Sequence, residues 1–202
     1  RVFALSGEFK YIPSRQEEKF EIKTLIGKVP IPVKELEDDP LAKVNVLLQA
    51  YISRLKLNGF ALMSDMIYIT QSANRIFRAI YEICLRKNWA QLAKTTLDLC
   101  KMIERRIWLS NSPFRQFTDC PSEIIRKTEA SRVPWSYYLS LETPQEIGQA
   151  IGTEKFSRKA FEMIQQFPKV RIPEIEVLPI TTSLLKFELT IMPEWEWNYE
   201  IH

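Results

Sequence analysis

Apolar residues recur every three or four positions through most of this chain and every second position after Pro168, so helices precede strands. The longest helical pattern runs from Ser64 to Asn88, with no Pro or Gly inside it. Met66, Ile69, Ala73, Ile76, Phe77, Ile80, Ile83 and Cys84 make one wide apolar face. Ser64 is an N-cap candidate, Asp65 complements the helix dipole in the first turn, and Arg86 and Lys87 do so in the last. Gln71, Arg75, Arg78, Glu82 and Arg86 recur on another face, with Ser72 beside them.

That polar stripe has two readings. It is a solvated face, in which Arg78–Glu82 and Glu82–Arg86 are spaced for i,i+4 pairs worth about 0.3–0.5 kcal/mol each. Or Arg75 and Arg78 touch nucleic-acid phosphates, with Gln71 and Ser72 as neutral donors. In the second case Arg75 ranks ahead of Arg78, because Glu82 competes for Arg78.

Around this helix the pattern predicts a bundle. Arg15 to Lys28 is an amphipathic helix behind Ser14, and Pro30 and Pro32 make an extended connector. Leu41 to Leu57 is a helix entered at Pro40, with Val44, Leu47, Leu48, Tyr51, Ile52 and Leu55 inward and Asn58-Gly59 as its stop. Trp89 to Leu109 is another, with Leu92, Leu99, Met102, Ile103, Ile107 and Trp108 buried. Short links between long helices favour antiparallel neighbours.

From Asp119 the elements shorten. Ser122 to Ala130 is a helix and Pro134 to Leu139 a brief aromatic turn. Thr143 caps a helix from Pro144, with Glu146 placed for a capping box and Gly148 and Gly152 framing its end. Ser157 to Phe167 follows; the pair reads as a helix–loop–helix unit or as a plain helical connector. Beyond it Val170 to Leu178, the alternating Leu185, Phe187, Leu189 and Ile191, and Trp195, Trp197, Tyr199 and Ile201 predict three strands. Three strands alone leave edges bare, so a β-sandwich is expected to begin here and continue past residue 202. The predicted domains are a helical bundle over 1–118, a helix–loop–helix unit over 119–168 and the start of the sandwich over 169–202. The fold class is mainly α.

Composition sharpens this picture only locally. The formal net charge is +3, too small to announce nucleic acid. From Gln71 to Gln116, however, nine Lys/Arg face three acids. Cys84, Cys100 and Cys120 form no CxxC, and the first two fall on apolar helical positions, as buried thiols do. No apolar run has the length of a membrane span, no signal peptide opens the chain, and the absence of an initial Met suggests a piece of something longer. The only histidine is His202, no nucleophile–base set can be assembled, and the five glycines form no phosphate loop. The acid pairs Glu17-Glu18 and Asp38-Asp39 are expected on solvated segments. No catalytic residue, metal ligand or cofactor is therefore expected.

Several stretches carry a family resemblance in order and with matching spacing. They are VPIPVKE, KVNVLLQAYIS, DMIYITQSANRIFRAIYEI, NWAQLAKTTLDLCKMIERRIW, SPFRQF, EIGQAIG and LPITTSLLKFELTI, from Phe9 to the end. Together they resemble the Sec63 homology unit that follows the motor domains of certain DExH-box RNA helicases. The likeness is greatest to the first, active cassette of the spliceosomal member. The resemblance implies a helical bundle, a helix–loop–helix unit and an immunoglobulin- or fibronectin-like sandwich. It implies that Ser64–Asn88 is a ratchet helix across the exit of single-stranded RNA, with Gln71, Ser72, Arg75 and Arg78 facing RNA. The implied function is a non-catalytic accessory unit of a nuclear, ATP-dependent helicase that unwinds paired snRNAs during splicing. ATP and Mg would belong to motor domains outside this chain, and the partners would be snRNA, those motor domains and other spliceosomal proteins. A helicase acting on stalled ribosomes or RNA damage is a close variant. A homologous docking scaffold of the endoplasmic-reticulum translocon, without RNA, is the alternative from another class.

Overall fold

A computed structural model describes residues 1–131, 133–195 and 199. The described chain is mainly helical, with two antiparallel strands after the last helix. It divides into two compact units, Arg1–Asn111 and Ser112–His202.

The first unit is assembled around α2 (Pro40–Ile52). Asp39 caps it, its carboxylate accepting from the Leu41 N–H at 2.8 Å, with Pro40 in the first turn. Ala42, Val44, Val46, Leu47, Ala50 and Ile52 are all buried, so this helix is covered on every side rather than along one stripe. Packed with it are α1 (Lys19–Ile26), α3 (Phe60–Arg86) and α4 (Ala90–Arg105). The lead-in contributes too: Phe3 stacks on Phe77 of α3 with ring centroids 5.1 Å apart, and Phe9 leans on Phe3 at 4.8 Å.

Several boundaries differ from the sequence expectation. The long helix begins at Phe60, not Ser64, because Gly59 in an extended conformation admits the extra turn without a side-chain cap. It ends at Arg86, short of Asn88, which adopts φ 56°. The preceding helix stops at Ile52 instead of Leu57, where Arg54 takes φ 55°. The Leu55 N–H then donates back to the Ala50 carbonyl at 2.9 Å, closing a Schellman-type end. α4 stops at Arg105, and Arg106 takes φ 52°. The two arginines fasten the ends of α2 and α4 together. Arg54 donates to the carbonyls of Arg105 and Arg106, and Arg106 donates to the Tyr51 carbonyl at 3.1 Å while lying over the Tyr51 ring.

The first helix also starts later, at Lys19 behind a 3-10 turn, and Ser14 does not cap it. Glu18, expected on a solvated segment, is only 5% exposed. The reason is Lys43 of α2, whose ammonium is fully buried and donates to the Pro13 carbonyl, Glu18 and Asp65 at 2.8, 2.6 and 2.6 Å. Arg15 completes the cluster, reaching Asp65 at 2.8 Å and also Glu18. Asp65 is thus committed to this cluster and does not sit in the first turn of its helix. Two further corrections concern the apolar faces. Ile83 is 53% exposed and Leu92 51% exposed. Leu92 lies at an open apolar cavity of about 650 Å³, which Leu48, Phe77, Ile80, Trp89 and Trp108 also line.

In the second unit α5 (Ser122–Ala130) and α6 (Trp135–Leu139) precede α7 (Pro144–Ile151) and α8 (Ser157–Gln165). Their core is Phe114, Ile124, Tyr138, Ile147, Ile151, Ala160, Met163 and Ile164. The capping box at Thr143 and Glu146 is formed in both directions, and its backbone hydrogen bonds hold the Glu146 carboxyl below the usual carboxylate range. β1 (Val170–Thr181) and β2 (Leu184–Pro193) pair antiparallel from Val170 opposite Pro193 to Thr181 opposite Leu184, with the register shifting between Arg171 and Glu174 and again between Pro179 and Thr181. All their residues are exposed. The expected third strand falls largely on residues 196–198 and 200–202, outside the described residues.

Cys84 and Cys100 are buried free thiols and Cys120 is half-buried. Burial pushes the Cys100 thiol up, with the charge of Arg78 acting against it. In the folded protein both buried thiols should therefore react slowly with a maleimide and quickly in denaturant. Rapid native labelling of both would contradict the packing of α3 and α4.

Candidate nucleic-acid interface

A helix of 27 residues held along one side leaves the other free for contacts over several turns. On α3 the held side is Leu62, Ile69, Ala73, Phe77 and Cys84. Opposite it lie Gln71, Arg75, Arg78, Glu82 and Arg86, all exposed, whereas Ser72 is half-buried at the edge of that face. The stripe read from the sequence is thus one continuous surface of the first unit, with Ser72 offset from it.

Its electrostatics differ from the sequence expectation. Neither i,i+4 pair is closed: among the described residues no carboxylate lies within ion-pair distance of Arg78 or Arg86. Arg75 is the paired one, its guanidinium donating to the Glu8 carboxylate at 2.8 Å with its side chain 70% exposed. Of the two arginines singled out, Arg75 therefore has a carboxylate partner and Arg78 has none among the described residues.

Two contributors were not singled out from the sequence. Tyr68 stands two turns before Arg75 on the same side, and its hydroxyl donates to the Glu8 carbonyl at 3.1 Å. Its ring meets the edge of Phe9. The spacing Tyr68, Gln71, Arg75, Arg78 was visible in the helical period. Glu8 carried no such signal, since it lies 67 residues away from Arg75 in the chain. Among the described residues no cluster of potential metal ligands occurs, and no helix is long and apolar enough to cross a membrane. The arrangement offers donors and positive charge to a polyanion, with an aromatic ring at one end.

A family model described as the Sec63 Brl domain matches residues 1–202. Pre-mRNA-splicing factor brr2 of Schizosaccharomyces pombe is 51% identical over 198 residues, 98% of this chain and 9% of that protein. The U5 small nuclear ribonucleoprotein 200 kDa helicase of Drosophila melanogaster is 52% identical over 202 residues, 100% of this chain and 9% of that protein. DExH-box ATP-dependent RNA helicase DExH12 of Arabidopsis thaliana is 48% identical, with the same coverage of 100% and 9%. The chain spans 9% of the length of these relatives.

Proposed function

The chain belongs to the Sec63 Brl domain family, and from that premise we propose that it is a non-catalytic accessory unit of an ATP-dependent spliceosomal RNA helicase. It guides the unwound RNA strand along α3 and braces the motor. The motor domains, with their ATP and Mg, lie elsewhere in the parent protein, which works in the nucleus among spliceosomal proteins. The RNA face is Gln71, Arg75 and Arg78, with Ser72 at its margin. The three-part division into bundle, helix–loop–helix unit and opening strands of a sandwich belongs to the same reading. The relatives' names favour it over a translocon scaffold, since they are a splicing factor and RNA helicases.

The observation that carries the proposal is Arg78, exposed and without an ion-pair partner among the described residues, on a helix whose other face is anchored in the bundle. A guanidinium so placed can make charge-assisted hydrogen bonds to a phosphate without first giving up a carboxylate. The test is Arg78→Ala and Arg75→Ala in the full-length protein, with melting temperature, RNA affinity across a salt series and unwinding rate measured together. Both variants should stay folded within about 0.5 kcal/mol, as exposed substitutions do. Unwinding should slow, and Arg78→Ala should lower the salt slope of RNA binding by about 1. Arg75→Ala should have the smaller effect on affinity. Unchanged unwinding and unchanged salt slope in both variants would return the stripe to a solvated face.

A further inference from the structure

The turn that carries Glu8 is fastened against α3 through its backbone and its neighbouring side chains. Gly7–Phe9 is a 3-10 turn behind Ser6, whose hydroxyl accepts from the Glu8 N–H. The next side chain, Phe9, is buried and packs on Phe3, which stacks on Phe77 of α3. The Glu8 carbonyl takes the Tyr68 hydroxyl, and the Glu8 carboxylate takes the guanidinium of Arg75. One residue thus engages two side chains of the polar face, seven positions apart on α3.

We propose that Glu8 masks Arg75 as an internal stand-in for phosphate, so that RNA reaching this face must displace a carboxylate before Arg75 can bind it. The idea rests on the reading of α3 as an RNA-facing helix and adds a residue that tunes it. An ionised carboxylate and a phosphate oxygen offer a guanidinium the same kind of acceptor, so the two compete for one site. The ion pair is exposed, so the competition is mild and the contact exchangeable. It lowers affinity at Arg75 without abolishing it, leaving Arg78 as the first contact. A grip that can be given up at one point suits a strand that has to move along the helix.

The experiment is a double-mutant cycle between Glu8 and Arg75 in the full-length protein, with a fluorescent single-stranded oligoribonucleotide as probe at low and moderate salt. Glu8→Gln keeps the shape and the backbone carbonyl that Tyr68 uses. It should tighten binding about two- to five-fold at low salt, the range an exposed ion pair supports, and less as salt is raised. In an Arg75→Ala background the same substitution should change affinity little. Equal tightening in both backgrounds would show a general charge effect and overturn the mask. Weaker binding by Glu8→Gln would overturn it too, by showing that Glu8 orients Arg75 for RNA. If Arg75→Ala weakens binding and Glu8→Gln does nothing, the mask fails while the RNA face stands. If neither Arg75→Ala nor Arg78→Ala affects binding, the RNA face fails and the mask with it.

Discussion

Replacing Lys43 by Met should cost the first unit about 3–5 kcal/mol, the range for breaking a buried ion pair from one side. The ammonium has three protons and three acceptors, Pro13, Glu18 and Asp65, and no exposure to water. Its removal leaves two carboxylates facing each other with only Arg15 to balance them. Met fills a similar volume, so the loss measures charge rather than a void. Glu18 opens α1, Lys43 lies on α2 and Asp65 on α3, so the cluster ties three elements together. Asp65 sits ten positions before Arg75 on the same helix. Loosening it should therefore raise hydrogen exchange in the N-terminal turns of α3 first. Denaturant unfolding of Lys43→Met, Asp65→Asn and the double variant reads the coupling. The double variant should be more stable than the sum of the single losses predicts, because Asp65 no longer needs its partner. A loss below about 1 kcal/mol for Lys43→Met would mean that water or side-chain movement reaches the cluster and the charges are not held as drawn.

How much of this was legible depends on what each residue type announces. The apolar period of α3 was plain, and so were the entry of α2 at Pro40 and the box at Thr143, because helix-start chemistry is local. The start of α3 was misplaced because Ser64 looks like a cap, while Phe60, 84% exposed, and the exposed Met63 fit no buried face. The end of α2 was misplaced because arginine is not a stop signal. What holds Arg54 in the left-handed region is its bonding to carbonyls 51 and 52 residues further on. The Lys43 cluster was missed for the same reason. Its partners stand 25 and 22 residues from Lys43, and charged residues in an amphipathic pattern look solvated. The polar stripe was found as a face, but its pairing was not. Whether Arg75 or Arg78 is free turns on Glu8, which reaches the helix only through tertiary packing.

Gly148→Val should destabilise the second unit by about 3 kcal/mol, at the top of the usual range for forcing extra methyl groups into a packed site. Gly148 lies inside α7, where helix propensity alone would favour almost any other residue. What excludes a side chain is space. A Cβ there would stand 2.8 Å from the Ser157 Cβ and 3.3 Å from the Thr153 carbonyl oxygen. Neither neighbour is the loose end of a long chain. Ser157 is the first residue of α8, and the Thr153 N–H already returns to the Gly148 carbonyl at 2.8 Å. The only relief is to move α8 away from α7, which would open the contact among Ile147, Ile151, Ala160 and Ile164. Gly152, four positions on, is the useful control. It adopts φ 75°, and a methyl group there would meet nothing within 4 Å, so its need for glycine is conformational. Gly152→Ala should accordingly cost only about 1–2 kcal/mol, the penalty of a left-handed L-residue. Denaturation of both variants, with hydrogen exchange across α7 and α8, separates the two causes. If Gly148→Val loses no more than Gly152→Ala, the two helices can part cheaply and close packing at Gly148 is not what fixes their angle.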